Sequence, residues 1–146
     1  MKMVIQVVKN ATLSVDEKVI SKINKGLVVY FCVEKNDDIK NLDYFAKKTA
    51  SLRVFPDSND KTNLSVQDIK GEILLISQFT LAGDFYHGNR PSFSNAEEPE
   101  KAKIFYEKLA KILNEKYSLT VKLGAFGEHM VINKTEIGPF TAYLEK

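Results

Sequence analysis

The 146-residue sequence predicts an α+β fold: a single domain spanning 1-146, with mixed or antiparallel β-sheets in a barrel-like arrangement and two main helices. Three observations predict it. Runs rich in Val, Ile, Leu and Phe open and close the chain, and two segments between them carry apolar residues at helical spacing. No linker, repeat or shift of composition divides them.

Met3–Val8 (MVIQVV) is a β-rich run, and Ala11–Val15 (ATLSV) alternates before a turn at Asp16-Glu17. Val19–Ile23 leads through Gly26 into LVVYFCV, residues 27–33, which is apolar on both faces and therefore a central buried strand. The opening of the chain is thus a meander of short strands. Asn36-Asp37-Asp38 supplies side chains that cap a helix start. Ile39, Leu42, Phe45, Ala46, Thr49 and Leu52 then recur at helical spacing, predicting an amphipathic helix over 38–51. Arg53-Val54-Phe55 reads as a short strand, ended by a turn over 56–60. Gly71 precedes EILLISQF, a second buried strand. The loop over 83–99 closes with Ser94-Asn95-Ala96-Glu97, which has the spacing of a capping box. Ala102, Phe105, Leu109, Ile112 and Leu113 mark the buried face of a second helix ending near residue 116. LTVKL, HMVIN and FTAYL complete the sheet.

Twenty-one basic residues against nineteen acidic ones leave a net charge of +2. That balance does not announce a nucleic-acid surface, yet it accommodates a protein that grips only the end of an RNA. Cys32 is the only cysteine, so no disulfide forms within the chain, which fits a reducing compartment. No run approaches the roughly 18 apolar residues of a membrane span, and MKMVIQVVKN lacks the long apolar region of a signal peptide. A cytoplasmic location with no membrane partner is the expectation.

His87, His129 and Cys32 do not fall at zinc-ligand spacing, so no metal is expected. GAFG at 124–127 sits between strands rather than before a helix, which argues against a phosphate loop, and no cofactor is expected. No serine occupies a G-x-S-x-G elbow. A Ser-His-Asp triad gathered from distant positions stays open at this point, because its members need not be neighbours in sequence.

Two segments breach strand chemistry. In a strand, Ser77 and Phe79 would face one way, Gln78 and Thr80 the other. Either these polar residues satisfy turn bonds where the strand leaves the core, or the strand end opens into a pocket that binds a polarised carbonyl. Gly138-Pro139 is the second breach. Proline has no amide hydrogen for a ladder, so the pair either starts the last strand or marks an edge or a bulge.

With SQFT at 77–80 and GPFT at 138–141, the chain resembles the D-aminoacyl-tRNA deacylases of the bacterial and eukaryotic type over essentially its whole length. The opening residues 1–35, SLRVF, NLSVQD, GEILLISQFTL, GNRPSF and GAFGEHM fall in that family's order. The resemblance implies a homodimer acting on the aminoacyl-tRNA 3′ end, with no DNA partner. It implies hydrolysis of the ester of D-aminoacyl-tRNA, and of glycyl-tRNA mischarged on tRNA(Ala), while L-aminoacyl-tRNA is spared. Ser77, Gln78, Phe79 and Thr80 would form the catalytic strand, with the amides of Phe79 and Thr80 stabilising an oxyanion. Gly138 and Pro139, joined by a cis bond, would reach into the partner subunit's pocket and exclude L side chains. Phe126 and Met130 would line an adenosine pocket, or alternatively be ordinary core residues. Arg90 would meet tRNA phosphate, or else be a solvated surface charge.

The chain departs from the family's pattern at Glu136-Ile137, where Asn-Asp is usual, and at His87 and Asn89, where basic residues are common. Two other readings stand beside the resemblance: a catalytically idle RNA- or nucleotide-binding module, and a small esterase with Thr80 as nucleophile.

Overall fold

Burial alternates along the first strand until Val7 and Val8, which are both buried, and from there it changes phase. The computed structural model describes residues Met1–Lys146, and it draws Lys2–Val15 as one strand, β1. Met3, Ile5 and Val7 point into one core, whereas Val8, Ala11 and Leu13 point into another. Register shifts in the ladder after Gln6 and after Val8 produce the change of face, as a bulge does. The two runs expected as separate strands are therefore one bent strand. Asp16 and Glu17 both take positive φ, 45° and 63°, and close the hairpin to β2, Lys18–Ile23.

β3, Gly26–Cys32, lies antiparallel to β1 on one side and parallel to β6, Glu72–Ser77, on the other. The approach of these two strands leaves no room at Gly26, where a Cβ would lie 1.8 Å from the Glu72 carbonyl oxygen. β7, Thr120–Leu123, extends the sheet parallel to β6, and β8, Val131–Glu145, runs antiparallel along the other edge of β1. The Ser21 hydroxyl of β2 donates to the Leu123 carbonyl of β7 at 2.6 Å, so the sheet curls into a nearly closed barrel. A small interior cluster of Val8, Ala11, Leu13, Ile23, Val28, Leu74 and Ile76 fills it.

The other face of the sheet carries the larger core. There α1, Leu42–Ser51, and α2, Pro99–Tyr117, bury Phe45, Ala46, Phe105, Leu109 and Leu113 against Met3, Ile5, Val29, Phe31 and Leu75. The fold is thus α+β, with mixed sheet and two helices as expected, and several boundaries differ for identifiable reasons. Asp38 caps a single 3-10 turn over Ile39–Asn41 by accepting from the Lys40 amide at 2.9 Å, and the α-helix starts only at Leu42. Ser94 does not cap α2. Pro99 takes the first helical position, where its missing N–H costs nothing, and the Glu97 carboxylate turns to Lys101 and the Glu98 amide. Arg53 and Val54 precede rather than form β4, Phe55–Pro56, whose partner is the unforeseen β5, Thr62–Leu64. HMVIN and FTAYL belong largely to one element, because β8 keeps pairing with β1 on both sides of Gly138-Pro139.

Candidate active site

The parallel pair β3 and β6 ends together, with Phe31 opposite Ser77. Ligands of parallel sheets gather at such carboxyl ends, where the backbone hydrogen-bond ladder stops and leaves main-chain polar groups free. The Gln78 amide makes the last ladder-like bond, to the Phe31 carbonyl at 2.8 Å. Gln78 then turns the chain with φ −141° and ψ 76°, and Phe79–Ala82 forms one 3-10 turn. The expected strand through Phe79 is thus too long, and the alternating placement of Ser77, Gln78, Phe79 and Thr80 gives way to a tight corner. Within it the Gln78 side-chain amide donates to the Thr80 hydroxyl. The amides of Phe79 and Thr80, first in the turn, have no acceptor inside it, since a 3-10 bond reaches back three residues.

A cavity of about 470 Å³ opens beside this corner, and Ser77, Gln78 and Phe79 line it. Phe126 and Met130, from the turn before β8, form part of its wall, as does Tyr106 of α2. Phe126 and Tyr106 pack with ring centroids 5.8 Å apart. Tyr106 donates its hydroxyl to the Leu75 carbonyl at 2.7 Å, and burial raises its pKa well above the usual phenol range, so it is a neutral strut. Burial likewise pushes the Cys32 thiol up to about 11. Cys32 lies 3.6 Å from the Phe79 carbonyl, to which its S–H donates, so at neutral pH it is a protonated wall group and not a nucleophile.

The remaining expected residues lie apart from the cavity in their own chain. Thr80 does not line it and offers only its place in the corner. Arg90 sits exposed in the loop after the corner, with no carboxylate partner. Gly138-Pro139 is a cis peptide in the middle of β8, not at the start of a strand. There the pairing jumps from Val8 opposite Glu136 to Gln6 opposite Thr141, so residues 137–140 loop out. Ile137, Gly138 and Pro139 are exposed and touch no part of the cavity of their own chain. Gly138 has φ +125°, and a Cβ there would meet the Phe140 amide nitrogen at 2.6 Å, so glycine is required.

No triad forms. His87 pairs with Asp84 at 2.6 Å in an exposed loop, and no histidine is hydrogen-bonded to a serine hydroxyl. His129 precedes β8 rather than lying in a strand, and it lines the cavity together with Glu97 and Ala102. No cluster of three or more His, Cys, Asp or Glu offers a metal site. Tyr106 was within reach of the sequence, since it lies four residues beyond Ala102 on the apolar stripe of α2. Cys32 and Glu97 carried no such signal, whereas His129 stands inside the GAFGEHM block.

Comparisons with known proteins follow the same outline. The family model for D-Tyr-tRNA(Tyr) deacylase matches residues 4–145. A D-aminoacyl-tRNA deacylase of Thermosipho melanesiensis is 44% identical over 145 residues, covering 99% of this chain and 97% of that one. One from Clostridioides difficile is 46% identical with the same coverage, and one from Persephonella marina is 47% identical over 142 residues, covering 97% and 95%. Among solved structures, a c-Myc DNA Unwinding Element Binding Protein superposes with a TM-score of 0.94 at 36% identity, covering 100% of this chain and 99% of that one. A probable eukaryotic D-amino acid tRNA deacylase gives 0.83 at 15% identity, covering 98% and 97%, which speaks for the fold alone.

Proposed function

The chain belongs to the D-Tyr-tRNA(Tyr) deacylase family, and from that premise we propose that it hydrolyses the ester of D-aminoacyl-tRNA, sparing the L esters. The observation that carries the reading is the corner at Ser77–Thr80, which turns two unpartnered amides beside an apolar cavity. Water adds to the ester carbonyl, the amides of Phe79 and Thr80 hold the resulting oxyanion, and the bond to the ribose oxygen breaks. Amino acid and tRNA are released. One such donor is worth about 10²–10³ in rate in other acyl-transfer sites. The neighbouring ribose hydroxyl assists the proton transfers, so the reaction is substrate-assisted. Thr80 accepts from an amide side chain, which is no base, so it is a positioning residue and not a nucleophile.

Chirality is assigned to a second copy of the chain. Phe140 packs back onto the core, whereas the exposed Ile137, Gly138 and Pro139 touch no part of their own chain's cavity, and a homodimer would set Gly138 and Pro139 against the partner's corner. A backbone wall where an L side chain must project excludes every L residue, whereas favourable pocket fit alone discriminates only about 10–200-fold per methylene. Glycine has no side chain to exclude, so glycyl-tRNA(Ala) is accepted. Phe126 and Met130 bracket the terminal adenosine, and Arg90 meets phosphate beyond it. The site of action is the cytoplasm.

Deacylation of D-Tyr-tRNA and L-Tyr-tRNA made on one tRNA tests this. Loss of the D ester alone is the expected result, and loss of both would mean an unselective esterase. Loss of neither would favour a nucleic-acid-binding module, the reading that the 36%-identical DNA unwinding element binding protein supports.

A further inference from the structure

The segment 83–95 leaves the cavity at the corner and returns to it at Ala96 and Glu97, so both its ends are pinned to the cavity rim. Asp84 and Ser92 exchange backbone bonds of 2.8 and 3.1 Å that close it into a loop. Asp84 also braces the tip from within: its carboxylate accepts from the Tyr86 amide at 2.9 Å and faces His87 Nδ1 at 2.6 Å. On this frame three rings run outward from the cavity wall. Phe79 meets Phe93 edge-on at 5.1 Å, and Phe93 meets Phe85 at 6.3 Å. Phe79 and Phe85 are 55% and 61% exposed, and Tyr86 next to them is 93% exposed. Gly83 makes the row possible, since a Cβ there would fall 2.6 Å from the Phe85 ring and 2.9 Å from Phe93.

Single exposed rings are ordinary on a protein surface, whereas a connected, braced row that begins inside a cavity marks a binding surface. We propose that Phe79, Phe93, Phe85 and Tyr86 form a stacking platform for the unpaired nucleotides that precede the terminal adenosine of the tRNA. The inference rests on the deacylase reading, because an ester held at the corner must trail its RNA across the cavity rim. Unpaired bases present flat π faces that aromatic side chains stack on regardless of sequence. Arg90, in the same loop and free of any carboxylate, supplies charge for the connecting phosphates. That combination fits single-stranded RNA better than a protein face, which would need a contiguous apolar floor between the rings.

The test compares two substrates, D-Tyr-tRNA and 3′-O-D-tyrosyl-adenosine, which lacks every nucleotide beyond the last. The Phe85→Ala/Tyr86→Ala double variant should raise KM for D-Tyr-tRNA on the order of tenfold per base lost from the platform, with kcat and cleavage of the adenosine ester unchanged. Phe85→Trp should restore KM, and a short RNA with 2-aminopurine at the penultimate base should lose its stacking quench in the double variant. An unchanged KM, or equal losses on both substrates, would overturn the platform. So would a double variant that only alters self-association on size exclusion, which would assign the rings to a contact between copies. Wild-type protein that cleaves neither substrate would overturn the deacylase reading itself, and this inference with it.

Discussion

The corner at Ser77–Thr80 and the loop at Ile137–Phe140 both interrupt a strand, yet their surroundings are opposite. The corner is tied to its own chain on both sides of its two free amides: Gln78 to Phe31, Leu81 to Gln78, Gly83 to Thr80, with a cavity wall assembled around it. The loop bulges from an edge strand whose outer side is unpaired, and its most exposed residues, Ile137, Gly138 and Pro139, face solvent. One half of the proposed site is assembled within a single chain, and the other projects away from that chain's cavity. A bulge on an edge strand normally defends the edge against pairing. Here it holds a backbone form that only glycine takes readily, which a purely defensive bulge would not need.

The comparison breaks most sharply at Gly138. Gly138→Ala should lower D-Tyr-tRNA turnover about a hundredfold, the scale of a roughly 1 Å misplacement of reacting groups, and the strained alanine should also cost a few degrees of melting temperature. Mixing that variant with Ala96→Trp, which blocks the cavity but leaves the loop intact, should restore about a quarter of wild-type activity after subunit exchange. Half of the random pairs then carry one intact composite site each. No recovery on mixing would place both halves of the site in one chain. A smaller effect is expected inside the corner. Thr80→Val should cost about tenfold in kcat by loosening the Gln78 contact, and no acyl-Thr80 species should be trapped by rapid quench. Trapping one would reinstate Thr80 as nucleophile.

Weaker still is the signature of Cys32. Its folded pKa, about 11, lies above the unfolded value near 9, so the folded chain keeps a proton that the unfolded chain releases. Stability is therefore unaffected below pH 9 and falls as pH rises from about 9 to 11, a decline that Cys32→Ala should reduce in melting curves. Smallest is Asp84, whose half-buried carboxyl is held below its usual range first by the Tyr86 amide and then by His87. Its bracing of the aromatic loop is present above about pH 4 and lost as pH falls through its lowered pKa. Backbone NMR shifts of Tyr86 should follow that titration, and Asp84→Asn should abolish it.

The elements that the sequence announced are those governed by local rules. The apolar spacing of Phe45, Ala46, Leu109 and Leu113 and the two-sided apolar run of β3 came through because periodicity records burial directly. What it hid depends on partners distant in the chain. Val7 and Val8 look like one more apolar pair, and only the ladder to β8 shows that the strand changes core there. Ser94 carries cap chemistry that Pro99 makes redundant. Gly138-Pro139 looked like a boundary because a proline ends local pairing, whereas β1 lies opposite both sides of it and resumes the ladder. At the site, SQFT and the Phe126–Met130 turn were visible as motifs. Cys32 and Tyr106 reach the same cavity from β3 and α2, and no spacing in the sequence links them to it. Glu136-Ile137 does find a structural place: Glu136 pairs with Lys134 at 3.7 Å and accepts from Thr141 across the base of the loop, where turn-forming residues would have closed it by other bonds.

The two unpartnered amides of the corner belong to the main chain, and this sets how the molecule responds to variation. An amide survives any side-chain exchange except proline, so a scan of alanine variants would pass across Phe79 and Thr80 without removing either donor. Random substitution erodes a side-chain catalyst one residue at a time. A corner built of backbone is lost only through changes that unwind it, such as a proline at Phe79 or Thr80. In a population of drifting sequences the chemistry would then outlast much of the side-chain identity around it.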